Sequence, residues 1–321
     1  MREIPEQLSR PVAMTRHYRM CGLILASAYE LPGAIRVEPG SEVADVQLRR
    51  CASLPTVLEH ATAHGPNWSA AGEQVLLSIP GVARCLLTAG RDVAVEAEAG
   101  AHERDIAPFL EVSVLAILLH QRRRLTLRAS AVSLAGKAVV FCGGPGTGKS
   151  TLAAFLNARG YPFFADDLCC VGGGEPVITP DGGTLKLWGD AVDRLAMHGR
   201  RGPALRRGVQ KFHVEPMCVA SPPSLPIAAI YMMRDDHPTL ASGISPLPVG
   251  EAAMLLRRNA YNSHLAALTG SDEPLFDQAA ALQRRVKLFS LTRPMDFDAT
   301  PQMIDWLEAH WRSPGFIGAA T

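Results

Sequence analysis

The sequence predicts a mixed α/β protein in two parts: a small, mainly β module over residues 1–120 that ends in a bridging helix, and an α/β domain over residues 121–321, a mixed sheet with flanking helices arranged around a glycine-rich loop. Three observations predict it. Residues 1–100 alternate apolar and polar side chains at strand spacing between Gly/Pro turns. From Glu103 to Arg123 the period becomes helical, with Ile106, Phe109, Leu110, Leu115, Leu118 and Leu119 recurring at threes and fours. Then Gly143-Gly144-Pro145-Gly146-Thr147-Gly148-Lys149-Ser150 matches G-x-x-x-x-G-K-[ST] in full, between an apolar strand and an apolar-periodic helix.

The elements follow in order. Strands are expected at Gly22–Tyr29, at Gln74–Ile79 before Pro80-Gly81, and as a hairpin of Ala83–Thr88 with Asp92–Ala97 across Ala89-Gly90-Arg91. Gln121-Arg122-Arg123-Arg124 closes the bridging helix, where cations suit the helix dipole. Leu125–Leu134 and Lys137–Cys142 read as a hairpin about Ala135-Gly136, and Lys149–Arg159 as a helix stopped by Gly160. The strand Tyr161–Ala165 is closed by Asp166-Asp167, and Arg194–Lys211 reads as a mobile loop rich in glycine and arginine. Strands Ile227–Met233 and Arg285–Leu291 then alternate with helices Glu251–Ala267 and Pro274–Arg284, and a last helix opens with Thr300 as N-cap and Pro301 at its first position.

Composition excludes several classes. With 321 residues, 47% hydrophobic and 20% charged, the chain is too apolar for disorder and long enough for two domains. Apolar runs such as Val114–Leu119 fall far short of the roughly 20 residues that span a bilayer, so no membrane partner is expected. The start, Met1-Arg2-Glu3-Ile4-Pro5-Glu6, has acids and a proline where a signal peptide has an apolar region, which predicts a cytoplasmic protein. Seven scattered cysteines without C-x-x-C spacing read as small core residues of a reducing compartment, and the histidines show no zinc spacing.

The net charge of +1 hides an asymmetry: residues 1–120 carry −4 and residues 121–321 carry +5. An anionic ligand profits from the second half, but no basic stripe interleaved with aromatics accompanies it, so nucleic acid is not expected.

The glycine-rich motif gives that ligand a chemistry. Its glycines let consecutive N–H groups turn toward one centre at a helix N-terminus, so Gly143, Gly144, Pro145, Gly146, Thr147, Gly148, Lys149, Ser150 and Thr151 are candidate phosphate-binding residues. In such loops the lysine, here Lys149, neutralises the β- and γ-phosphates and the hydroxyl, here Ser150, faces Mg²⁺. ATP and Mg²⁺ are thus the expected cofactors. Two adjacent carboxylates at the end of a strand, Asp166 and Asp167, suit a cation and a proton acceptor.

A single helix separates Lys149 from this pair, and the spacing carries a resemblance. The block Leu127–Val171, with Leu-Arg-Ala-Ser-Ala-Val, Gly-Gly-Pro-Gly-Thr-Gly-Lys-Ser-Thr-Leu-Ala and Arg-Gly-Tyr-Pro-Phe-Phe-Ala-Asp-Asp-Leu, resembles the C-terminal kinase domain of HPr kinase/phosphorylase, whose wider relatives include the ATP-dependent phosphoenolpyruvate carboxykinases. Leu185-Lys186-Leu187-Trp188-Gly189-Asp190-Ala191 further resembles the kinase-like proteins of peptide-modification clusters, including those that phosphorylate the C-terminal serine of lasso-peptide precursors.

The resemblance implies a P-loop kinase domain with an HPr kinase and phosphoenolpyruvate carboxykinase-like core. It implies Lys149 on the phosphates, Ser150 and Asp167 at the metal, and Asp166 as the base for the acceptor hydroxyl, with the two aspartate roles exchangeable. The partner it implies is a peptide or small protein with an acceptor serine, and relatives of this group form homo-oligomers.

Two departures qualify the likeness. Arg128 stands where many relatives have histidine, and a permanent guanidinium holds phosphate but cannot relay a proton. Lys186 falls about where a metal-binding glutamate is expected. Both count against phosphorylase activity and leave transfer to a hydroxyl intact.

The basic residues Arg194, Arg200, Arg201, Arg206, Arg207 and Lys211 suit either a loop closing on the transferring phosphoryl, with Lys211 as its contact, or a solvated loop. The expected activity is an ATP- and Mg²⁺-dependent serine kinase. Its alternatives are an HPr kinase/phosphorylase proper and a non-catalytic ATP-binding regulator.

Overall fold

The computed structural model describes residues 15–235, 242–261, 272–294 and 296–316. Among these residues the chain forms a mixed α/β structure with three sheets.

The first sheet contains β1 (Arg16–Met20), β2 (Leu23–Ser27), β3 (Ile35–Val37), β4 (Val46–Arg50), β5 (Ala63–Gly65), β6 (Trp68–Ala71), β7 (Gln74–Ile79), β8 (Ala83–Thr88) and β9 (Asp92–Ala97). Their order is β3-β1-β2-β4-β9-β8-β7-β6-β5, and only the pairs around β4 are parallel. The expected hairpin forms with Ala83 opposite Ala97 and Thr88 opposite Asp92.

The bridging helix runs as α1 (Glu103–Phe109), a π-helical turn (Leu110–Val114) and α2 (Leu115–Gln121). Pro108 lies just before the wider turn, which buries Glu111 together with Leu110 and Val114. The helix and the sheet share one core with Leu168 and Cys170, which belong to the second part of the chain. Apolar burial therefore joins the two parts.

The second sheet holds β10 (Thr126–Leu134), β11 (Lys137–Cys142), β12 (Phe163–Val171), β13 (Val177–Thr179), β17 (Leu225–Asp235), β18 (Gly243–Pro246) and β19 (Lys287–Arg293); the third holds β14 (Leu185–Trp188), β15 (Arg201–Ala204) and β16 (Lys211–Val214). β11 pairs antiparallel with β10 and parallel with β17, and β17 pairs parallel with β19.

Both faces of β11 are covered, as its unbroken apolar run demands. Val139 and Phe141 meet α3 (Lys149–Ala158) and the last helix; Ala138, Val140 and Cys142 pack on the other side. The helices after α3 are α4 (Gly189–Arg194), α5 (Val249–Arg258), α6 (Asp272–Arg285) and the last, α7 (Thr300–Trp311). Leu152 and Leu156 of α3 and Met303 and Leu307 of α7 cover one face; Ala252 and Leu256 of α5 and Leu275 and Leu282 of α6 cover the other.

Three expectations change. The strand after α3 does not end at the aspartates: β12 continues to Val171, because Leu168, Cys169 and Cys170 have apolar partners on both sides. Residues 194–211 are not an irregular loop throughout, since β15 pairs with β16 and four of the five arginines have contacts described below. Thr300 is the first residue of α7 rather than its cap. The expected helix Glu251–Ala267 begins as α5, and its residues 262–267 lie outside the described residues.

Candidate active site

The register across three strands places the site. Cys142, the last residue of β11, lies opposite Ala129 of β10, and Ala129 lies opposite Asp167 of β12. The aspartates are therefore inside β12 yet level with the point where β11 opens into the glycine-rich loop.

That loop joins β11 to α3. Gly148 is in the left-handed region at φ 72°, and a Cβ there would come within 2.5 Å of the Arg293 guanidinium. Arg293 Nη2 donates to the Thr147 carbonyl at 2.6 Å, so the end of β19 braces the loop. Lys149 Nζ folds back on the loop, donating to the Gly144 carbonyl at 2.7 Å and approaching Thr147 Oγ1 at 3.4 Å. Burial lowers its pKa, and Asp166 and Asp167 oppose that shift. Thr151 follows in the first turn of α3 and is half-buried.

Asp166 is fully buried and accepts three hydrogen bonds, which leaves one acceptor position on Oδ2. Ser130 Oγ and Ser150 Oγ donate to its Oδ1 at 2.6 and 2.7 Å, and the Lys186 backbone N–H donates to Oδ2 at 2.8 Å. Burial and then the neighbouring Asp167 raise its pKa.

Asp167 differs in each respect. Its side chain is 23% exposed, its φ is +81°, and Lys186 Nζ lies 3.7 Å from Oδ2. A non-glycine residue at such an angle inside a strand is strained by about 1 kcal/mol or more, which Asp tolerates better than most. Burial would raise its pKa, but Lys186, Lys211, Lys149 and Arg128 outweigh it and hold the carboxylate below its ordinary value.

Lys186 is the centre of this cluster. At 3% exposure its ammonium donates to Asp181 Oδ2 and to the Asp166 carbonyl, both at 2.9 Å, and Asp181 Oδ1 accepts the Asp166 N–H at 2.9 Å. Burial pushes the Asp181 carboxyl up to about 6 even with Lys186 beside it. Glu111 from the π-helical turn lies within the same field: burial raises it to about 7, while Lys186 and the N–H of Gly33, bonded at 2.8 Å, pull it down.

The other expected residues converge unequally. Arg128 reaches the field of Lys149 and Asp167 while its guanidinium sits over the Tyr261 ring at 4.1 Å. Lys211, at the start of β16, acts on both aspartates. Four of the five arginines expected beside it are engaged elsewhere: Arg194 with Asp298 at 2.9 Å and over Phe297, Arg200 with the Pro216 carbonyl at 3.0 Å, Arg201 over Phe212, and Arg207 with Asp105 at 2.7 Å.

The sequence reading missed Arg293, Asp181 and Glu111. A usable signal existed for Lys186: the chain has five lysines against 27 arginines, and Lys149, Lys186 and Lys211 are three of the five. No local signal marks the others, because each reaches the site from a different element.

A family-model scan and a search of curated proteins each found no match. Among solved structures the chain is similar to the Hpr(Ser) kinase/phosphatase from Coxiella burnetii, with 11% identity and a TM-score of 0.30 over 58% of this chain and 89% of that one. A likeness that remote carries no argument about this chain's chemistry. Among the described residues no helix is long and apolar enough to cross a membrane.

Proposed function

We propose that this protein is an ATP- and Mg²⁺-dependent kinase that transfers the γ-phosphoryl group to a serine hydroxyl of a peptide or small protein. The observation that carries the reading is the Ser150–Asp166 hydrogen bond of 2.7 Å. It ties the hydroxyl that follows Lys149 to a buried carboxylate whose neighbour is ionised and partly open.

The residues suit both cofactors. Gly146 and Gly148 take the left-handed backbone that turns the loop, and the Lys149 ammonium engages only loop atoms, which suits a polyphosphate. Ser150 and Asp166 supply the hard oxygens Mg²⁺ prefers, and the ion neutralises phosphate charge when bound.

The geometry favours exchanging the two aspartate roles. Asp166 has both oxygens engaged by Ser130, Ser150 and Lys186, which suits holding Ser150 and the metal. Asp167, ionised and partly exposed, suits accepting the serine proton. Lys149, Arg128 and Lys211 surround the place where phosphoryl charge develops and would stabilise it without moving. Arg128 in place of a histidine and Lys186 in place of an acidic ligand support forward transfer over phosphorolysis. The C-terminal serine of a lasso-type precursor is the acceptor to which the sequence resemblance points.

The test is to incubate the protein with ATP, Mg²⁺ and serine peptides and look for the mass of one added phosphate. Transfer that survives both Lys149→Ala and Asp167→Asn would sink the reading. Tight ATP binding with no transfer to any acceptor would favour a nucleotide-sensing regulator.

A further inference from the structure

We infer that the cleft between the N-terminal module and β15 receives the polypeptide segment flanking the acceptor serine, so that the module forms one wall of the acceptor site. This rests on the kinase reading above. The cleft has a volume of about 640 Å³, with Glu30, Pro32, Ala107 and Pro108 on the module side and Pro203 and Leu205 on the other. A space of that size takes a few residues of chain.

Its inner end leads to the transfer site. His213 lines the cleft, its Nδ1 lies 3.0 Å from Thr184 Oγ1, and it stands opposite Lys186 in the β14–β16 ladder. Opposite residues of an antiparallel pair share a face, so His213 and Lys186 lie side by side, and Lys186 is 3.7 Å from Asp167. On the same face, two residues along each strand, stand Lys211 and the exposed Trp188. The charges acting on Asp167 thus come from Lys149 of the glycine-rich loop and from Lys186 and Lys211 of β14 and β16, the ladder to which the cleft-lining His213 belongs.

Both walls are held in place. Arg207 donates to Asp105 from its backbone N–H at 2.9 Å and from Nε at 2.7 Å, clamping the chain beyond β15 to the start of α1. On the other side Gly33, next to Pro32, donates to Glu111 and accepts from the Gly183 N–H at 3.1 Å; a Cβ on Gly182 would strike the Gly33 carbonyl. This close seam makes the module part of the site rather than a tethered appendage. The lining sets prolines, alanines and Leu205 beside Glu30, His102, Glu103, Arg104 and His213, a mix of apolar and charged groups that suits the varied side chains and backbone of a polypeptide better than a small polar alcohol.

The test uses the full chain, labelled ATP and a degenerate peptide library with one fixed serine. Pro32→Trp and Ala204→Trp, each filling the cleft, are expected to lower kcat/KM for the library at least tenfold while leaving the Kd for ATP and the unfolding midpoint unchanged. Unchanged library kinetics in both variants overturns the inference and leaves the kinase reading standing. Wild-type protein that phosphorylates free serine but not the library overturns the polypeptide occupant. Wild-type protein that binds ATP and phosphorylates neither overturns the kinase reading, and this inference with it.

Discussion

Lys186 donates to Asp181 across 2.9 Å with each side chain only 3% exposed, so a full ion pair is buried between β14 and the residues that lead into it. The same ammonium faces Asp167, which couples the stability of this region to the charge of the candidate base.

Removing one member of that pair leaves an uncompensated buried charge. Lys186→Met is expected to cost about 3–5 kcal/mol of stability, measured by urea unfolding. Lys186→Met combined with Asp181→Leu should cost less than the sum of the two single changes, since neither member of the fully buried pair is left without the other. Additive losses would show that the two groups do not act as a pair.

Asp167→Asn should lower kcat by about 10²–10⁴ and leave ATP affinity nearly unchanged, because asparagine also tolerates a positive φ. Asp166→Asn should instead weaken the dependence of activity on Mg²⁺, read from a magnesium titration at saturating ATP. The opposite pair of phenotypes would return the base role to Asp166.

Arg293→Ala removes a charged donor to the Thr147 carbonyl at 2.6 Å. Loss of a hydrogen bond from a charged group is worth about 1.5–3 kcal/mol, so the KM for ATP should rise roughly 10–100-fold with a smaller effect on kcat. An unchanged KM would show that the loop holds its shape without this brace.

Glu111 makes the fold sensitive to pH. Its pKa rises from 4.5 in the unfolded chain to about 7 in the folded one, chiefly through burial. The folded state then holds the proton more tightly, so this contribution is complete below pH 4.5 and is lost as pH rises through about 7. The loss amounts to about 3 kcal/mol. Glu111→Gln, which keeps an oxygen for the Gly33 N–H, should flatten the decline in unfolding midpoint between pH 5 and pH 8. An identical decline in the variant would place the sensitivity elsewhere.

Chelating divalent ions should abolish phosphoryl transfer while the unfolding midpoint without nucleotide stays the same, since the described residues hold the apo site together through Ser130, Ser150 and Lys186. A large fall in that midpoint would mean that a metal is structural.

The sequence revealed what short-range rules determine. The hairpin about Ala135-Gly136, the glycine-rich loop, α3 and its end at Gly160 depend on turn chemistry and periodicity within about a dozen residues. Arg194–Lys211 misled for the same reason, because glycine and arginine composition does not report the pairing of β15 with β16 or the tie between Arg207 and Asp105. Arg293 and Glu111 lie 144 residues downstream and 38 residues upstream of Lys149, too far apart for any spacing rule.

By itself, then, the sequence determined that a glycine-rich loop precedes a pair of aspartates by one helix, because those elements are local. Only the tertiary structure decided which aspartate is sealed and which is open, since that follows from strand register and from donors supplied by β10, α3 and β14. It also decided that the acidic N-terminal half borders the site. Burying the apolar face of β12 against the module's core draws Gly33 and Glu111 into the field of Lys186.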